Sequence, residues 1–199
     1  MFTARTPRRA PVRLLLAAFA ALALLLSGAA TATTASATTT GLDGVWACTV
    51  PAGYTYDQVS MNRTCSSGSW NAPQFRLRTP AEGLTACTSA PGFVYDYITW
   101  GSACSQQPGV TSNAYHLRTP YDGLTACVGT PAFTYDLITY TSGCSLNQGT
   151  QATTFRLRKP VNGLWACQVP SGFTYSATTQ NWDCSHIQGV PSTKFLLLG

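Results

Sequence analysis

Charge is scarce in this chain. Asp, Glu, Lys and Arg make up 10% of its 199 residues, and Glu82 is the sole glutamate. Histidine is scarcer, with only His116 and His186. There is no Cys-x-x-Cys, no glycine-rich phosphate loop and no acidic calcium loop. Each absence excludes a class of chemistry. A zinc site needs closely spaced sulfur and nitrogen ligands, and the two histidines stand at unrelated places. Nucleophilic catalysis needs a nucleophile, a base and an orienting group, and no Ser-His-Asp spacing signature occurs. Sugar hydrolysis needs two opposed carboxylates, and most of the seven acids are accounted for by turns or by pairing with arginine. The reading is a protein that is not an enzyme and carries no metal or cofactor.

The formal charge of +5 is also weaker than it looks. Arg5, Arg8, Arg9 and Arg13 precede a 13-residue apolar run, Leu14 to Leu26, and small residues follow with Ala35-Ser36-Ala37 as a cleavage site. That order is a secretory signal over residues 1–37, and the run is short for a membrane span. An uncleaved N-terminal anchor is the alternative. Position 29 is Ala, so no lipidated cysteine follows the apolar run. Without the four signal arginines, eight basic groups face seven acidic ones. This gives no support for a nucleic-acid partner or for membrane attachment after cleavage. The signal has a bacterial look, so Asn62-Arg63-Thr64, which matches the N-glycosylation acceptor, is read as chance unless the source is a eukaryote.

What remains, residues 38–199, is dominated by one repeated unit. Cysteines occur as Cys48/Cys65, Cys87/Cys104, Cys127/Cys144 and Cys167/Cys184, each pair 17 residues apart. The first members step by 39, 40 and 40 residues. A period of this length is one supersecondary unit used four times, over about 41–80, 81–120, 121–160 and 161–199. Even, regular cysteines in an exported chain form a disulfide framework. The simplest rule common to all copies joins the two cysteines of each copy, for roughly 3 kcal/mol per closed loop.

Each unit predicts three short strands, near twelve in all. The first ends at the leading cysteine, as in Leu124 to Cys127. A Pro/Gly turn follows. The second begins at an aromatic pair two apart (Tyr54/Tyr56, Phe93/Tyr95, Phe133/Tyr135, Phe173/Tyr175), which puts both rings on one face. The third is the clearest, since Phe155-Arg156-Leu157-Arg158 alternates apolar and charged residues. No helical period occurs beyond the signal. The fold expected is all-β, four tandem disulfide-stapled repeats packed as a closed pseudo-symmetric unit or a short array. A unit of 40 residues buries too little to stand alone.

Differences between copies are informative. Asp57, Asp96 and Asp136 become Ser176 in the fourth copy, and Arg78, Arg118 and Arg158 become Leu198. Acid and base disappear together, which predicts an Arg–Asp pair in each of the first three. The final tetrad Phe195-Leu196-Leu197-Leu198 is apolar on both phases. It predicts a strand covered on both faces and points to ring closure or to a homodimer through the C-terminal strand.

The most variable region runs from the middle of the second strand through the following loop. It holds Trp100 and Tyr140 in one column, with Trp70 and Trp182 nearby, among amide-rich loops. Aromatic faces beside amides stack on sugar rings and hydrogen-bond their hydroxyls, and amphipathic aromatics also serve protein interfaces. These four residues are the candidate ligand-binding set, the alternative being packing between copies. The expected function is a secreted, extracellular, non-catalytic, lectin-like protein that recognises a glycan or cell-wall polymer. A proteinaceous inhibitor or a cell-surface structural protein is the alternative.

Overall fold

The computed structural model describes residues Gly41–Gly199. The signal assigned to residues 1–37 lies outside the described residues. The described chain is all-β, with four three-stranded antiparallel sheets in tandem, one for each sequence repeat. Unit one contains β1 (Trp46–Ala47), β2 (Thr55–Asn62) and β3 (Ala72–Arg78), unit two β4 (Thr85–Ala86), β5 (Val94–Gly101) and β6 (Ser112–Arg118). Unit three contains β7 (Thr125–Ala126), β8 (Thr134–Thr141) and β9 (Ala152–Arg158), unit four β10 (Trp165–Ala166), β11 (Thr174–Asn181) and β12 (Ser192–Leu198). In each unit the third strand lies in the middle, with the short first strand on one side and the long second strand on the other. The four disulfides are those expected within each copy, with Cα–Cα separations of 5.2 to 5.3 Å.

Alternation in the central strand sets the core. Leu77, Leu117, Leu157 and Leu197 are all buried to 1% exposure or less, one per unit. Burying each contributes about 1.5–3 kcal/mol. The alanine before the first cysteine is fully buried in units two, three and four (Ala86, Ala126, Ala166), where its small side chain lets the preceding unit approach.

The second strand carries a bulge in every unit, between Tyr56 and Gln58 in unit one, with the same break after Tyr95, Tyr135 and Tyr175. A bulge re-aims a side chain. Here it swings the aspartate of the Tyr-Asp dipeptide onto the arginine-bearing face of the central strand. Sequence alternation alone did not show this break in period.

Successive units are joined through the same groups each time. The amides of Cys87, Cys127 and Cys167 donate to the carbonyl oxygens of Tyr56, Tyr95 and Tyr135 at 2.7 to 2.8 Å. The Thr134 hydroxyl donates to the Gln168 carbonyl at 2.7 Å, and the Thr55 and Thr88 hydroxyls meet at 2.8 Å. At the second junction the equivalent residue is Val94, which packs on Leu124, Ala126 and Leu157. In unit four β11 is exposed from Thr174 to Gln180. Among the described residues each unit packs on the one before it, and units one and four share no strand pairing. The polar Ser176, Thr178 and Gln180 suit this exposed face.

The apolar C-terminal tetrad forms β12, the middle strand of its sheet, hydrogen-bonded on both sides. It presents no free backbone edge. Leu197 fills the core, Leu196 pairs with Trp165 and Ala177, and Leu198 is exposed. The free edge of this sheet belongs to β11.

Candidate ligand-binding surface

The Arg–Asp pairing is real and more extensive than a pair. Asp57 accepts from Arg76 at 2.7 and 2.9 Å and from Arg78 at 2.9 Å. Asp136 binds Arg156 and Arg158 likewise, at 2.7 to 3.0 Å. In unit two His116 takes the place of the first arginine, with Nδ1 2.7 Å from Asp96 while its ring stacks on Tyr97 at 4.3 Å. His116 thus shares Asp96 with Arg118, which reaches it at 2.9 Å. Each second arginine also reaches the acid that opens its unit, Arg78 to Asp43, Arg118 to Glu82 and Arg158 to Asp122. Those acids also accept from backbone amides, Thr79 to Asp43 and Lys159 to Asp122 at 2.7 Å and Thr119 to Glu82. These amide bonds first, and the arginines next, hold Asp43, Glu82 and Asp122 below the usual carboxylate range. With Lys194 on Asp183 at 2.9 Å, all seven acids of the chain sit in ion pairs. The clusters hold the bulged strand onto the central strand.

The loops after the second cysteine are ordered by one device. The serine that follows it donates to a carbonyl two residues on, Ser66 to Gly68, Ser105 to Gln107, Ser145 to Asn147 and Ser185 to Ile187. The loops of units two and four lie beside aromatics of the preceding unit. Gln106 lines a groove with Tyr56, and the His186 ring lies 6.4 Å from Tyr135 and 6.3 Å from Phe155. Burial in these junctions pushes Tyr56, Tyr95 and Tyr135 above the ordinary phenol pKa.

The four candidate aromatics divide into two kinds. Trp70 and Trp182 are the most exposed indoles, at 83% and 62%. Trp70 follows the Ser66 turn. Trp182 opens a short 3-10 turn (Trp182–Cys184) capped by the Asn181 side chain, and its carbonyl accepts from the Ser185 amide. Trp100 and Tyr140 are partly buried. The Tyr140 hydroxyl donates to the Ser185 carbonyl at 3.1 Å, so that ring is tied to the next unit. Trp100 pairs across the sheet with Asn113, whose Oδ1 is buried without a hydrogen-bond partner among the described residues. Asn62 of the acceptor-like triplet is occupied locally, donating to Gln74 at 2.7 Å and accepting from the Thr64 amide at 2.9 Å.

Grooves open where units meet. One of about 150 Å³ between units one and two is lined by Trp100, Asp57, Thr85, Thr99, Ser112 and Ala114. Ala114 lies opposite Thr99. Its counterparts are larger. Thr154 is buried and bonded to Thr139 at 2.5 Å, and Lys194 reaches Asp183. A shallower groove of about 270 Å³ runs beside Tyr56, Gln106 and Gln107. Another, about 410 Å³, lies between units three and four, with Pro131, Phe133 and Tyr135 on one wall and Gln168, Val169 and Pro170 on the other. None of the four candidate aromatics lines it. The aromatic pair Phe133/Tyr135 was visible in the sequence as a sheet-face signal, but its position at a junction was not. Among the described residues, no cluster of three or more metal-ligating side chains occurs, and no helix is long and apolar enough to cross a membrane. Comparison with protein-family models, curated proteins and solved structures finds no match.

Proposed function

We propose that this chain is a secreted, non-catalytic, lectin-like protein that binds a carbohydrate or cell-envelope polymer through aromatic side chains displayed along its array. The observation that carries the reading is the exposure of Trp70 and Trp182 on hydrogen-bonded backbone. Tryptophan is normally highly buried, and neither indole is needed to fill the core. A ring held in water on a fixed loop offers a flat apolar face at low entropic cost, which suits stacking on sugar rings. Two further features support it. Every carboxylate is engaged in an ion pair, which leaves none placed as a free general acid or base. Four local disulfides fit an oxidising compartment outside the cell. Repetition then allows several weak contacts to add as avidity.

The test is retention of the oxidised protein on cellulose, chitin and peptidoglycan, with Trp70→Ala and Trp182→Ala alongside. The reading expects retention on at least one polymer and a loss of tenfold or more in the double variant. A protein that binds no polymer but inhibits a protease in a panel assay contradicts it and favours the inhibitor alternative.

A further inference from the structure

The 410 Å³ groove between units three and four has a glycine on its unit-three side. Two positions after the leading cysteine, the four units carry Val50, Ser89, Gly129 and Val169. Gly129 lines the groove. It does not adopt a positive φ, and a Cβ built on it meets nothing within 4 Å. The backbone therefore does not demand glycine there. What glycine provides is space, in a position where units one and four carry valine.

The groove is preformed on both sides. Its floor is fixed by the Cys167 amide on the Tyr135 carbonyl at 2.7 Å and by the Thr134 hydroxyl on the Gln168 carbonyl at 2.7 Å. Each wall is a hydrogen-bonded turn, Phe133 N–H to Thr130 carbonyl at 3.0 Å and Phe173 N–H to Pro170 carbonyl at 3.2 Å. Its volume falls within the roughly 300–1,000 Å³ of small-molecule clefts.

The lining defines the ligand. Phe133, Tyr135 and the two prolines are apolar, the Gln168 amide and the Thr130 and Ser171 hydroxyls are polar, and no lining residue is charged. An anionic or cationic ligand would lose its hydration without a counter-charge, at high cost. A neutral pyranose has what the lining asks for, a C–H face for the rings and a rim of hydroxyls for the amide and hydroxyl groups. We propose that this groove is a binding site for a short neutral oligosaccharide. The proposal rests on the carbohydrate reading above and adds to it a place and a charge class that the exposed tryptophans do not specify.

Isothermal titration with neutral cello-, chito-, xylo- and malto-oligosaccharides tests it, with an anionic oligogalacturonate and a hexaproline peptide as controls. The variants are Gly129→Val, which restores the side chain of unit one, and Gln168→Ala, which removes the amide but leaves the carbonyl held by Thr134. At least one neutral oligosaccharide is expected to bind, and Gly129→Val is expected to weaken it tenfold or more while the urea unfolding midpoint stays unchanged. Gln168→Ala is expected to weaken it at least threefold, which keeps the test sound if Gly129→Val fails to fold. Equal affinity in both variants overturns the site, as does preference for the anionic ligand or binding of hexaproline alone. Retention on a polymer that depends on Trp70 and Trp182, with no oligosaccharide binding, overturns the groove and leaves the carbohydrate reading standing. Absence of both overturns both.

Discussion

The amide of Cys167 donates to the carbonyl oxygen of Tyr135 at 2.7 Å, so the disulfide of one unit is seated on the bulged strand of the unit before it. The same bond joins Cys87 to Tyr56 and Cys127 to Tyr95. Each staple thus has two tasks, closing a loop in its own unit and registering that unit on its predecessor. Cys48 is exposed, whereas Cys127 and Cys144 are buried.

The disulfides are consequently unequal. Replacing Cys127 and Cys144 by alanine is expected to cost the loop-closure contribution of about 3 kcal/mol plus the loss of buried contacts at a junction. Replacing Cys48 and Cys65 is expected to cost no more than the loop contribution. Urea unfolding of the two double variants measures the difference, and equal midpoints would contradict the coupling of staple to junction.

The ion clusters make a second prediction. The Asp136 side chain is only 8% exposed and accepts from two guanidiniums that remain partly in water. Asp136→Ala is expected to cost about 1–3 kcal/mol, the range for losing hydrogen bonds to charged groups. The double variant Arg156→Met/Arg158→Met is expected to cost more, about 3–5 kcal/mol, because it strands a buried carboxylate. Reversal of that order in denaturant unfolding would show that the clusters are not buried-acid anchors.

Stability against pH follows from the shifted groups. Asp43, Glu82 and Asp122 have depressed folded-state pKa values, so their contribution is present above the unfolded carboxylate pKa of about 4 and is lost as pH falls through the lower folded values. Tyr56, Tyr95 and Tyr135 are raised by burial, so stability is flat below about pH 10 and falls as pH rises towards their folded values. Thermal melts are expected to show a broad plateau between these limits. A sharp stability change near neutrality would contradict this pattern.

The core column offers a control on cooperativity. Leu157→Ala removes a fully buried side chain that also meets Val94 of the preceding unit. The expected cost is about 2–5 kcal/mol. Trp70→Ala and Trp182→Ala, on exposed loops, are expected to change stability by no more than about 0.5 kcal/mol.

Much of the fold was legible because the sequence repeats itself. The cysteine period yielded the four bridges, and the alternation in Phe155-Arg156-Leu157-Arg158 yielded the central strand with its buried leucine. The joint loss of Asp and Arg in the fourth copy yielded the ion pair. The bulge was not legible, since Tyr135-Asp136-Leu137 reads as continuous strand until its pairing with Arg156 and Leu157 is seen. Nor was the place of the apolar Phe195–Leu198 segment, which reads as a strand covered on both faces and is the middle of its sheet with Leu198 exposed. The grooves were hidden for a related reason. A groove is lined by residues of two units at once, and Gly129 becomes informative only when it is seen to share one with residues of the next unit, such as Val169.

The central claim is that this array binds a sugar polymer through its displayed tryptophans. The direct measurement is retention of the oxidised wild-type protein and of Trp70→Ala/Trp182→Ala on cellulose, chitin and peptidoglycan, with matched unfolding midpoints confirming that both are folded. The account predicts retention of the wild type on at least one polymer and at least a tenfold loss in the variant. Wild-type protein that washes through all three polymers, or a folded double variant retained as well as the wild type, would contradict it.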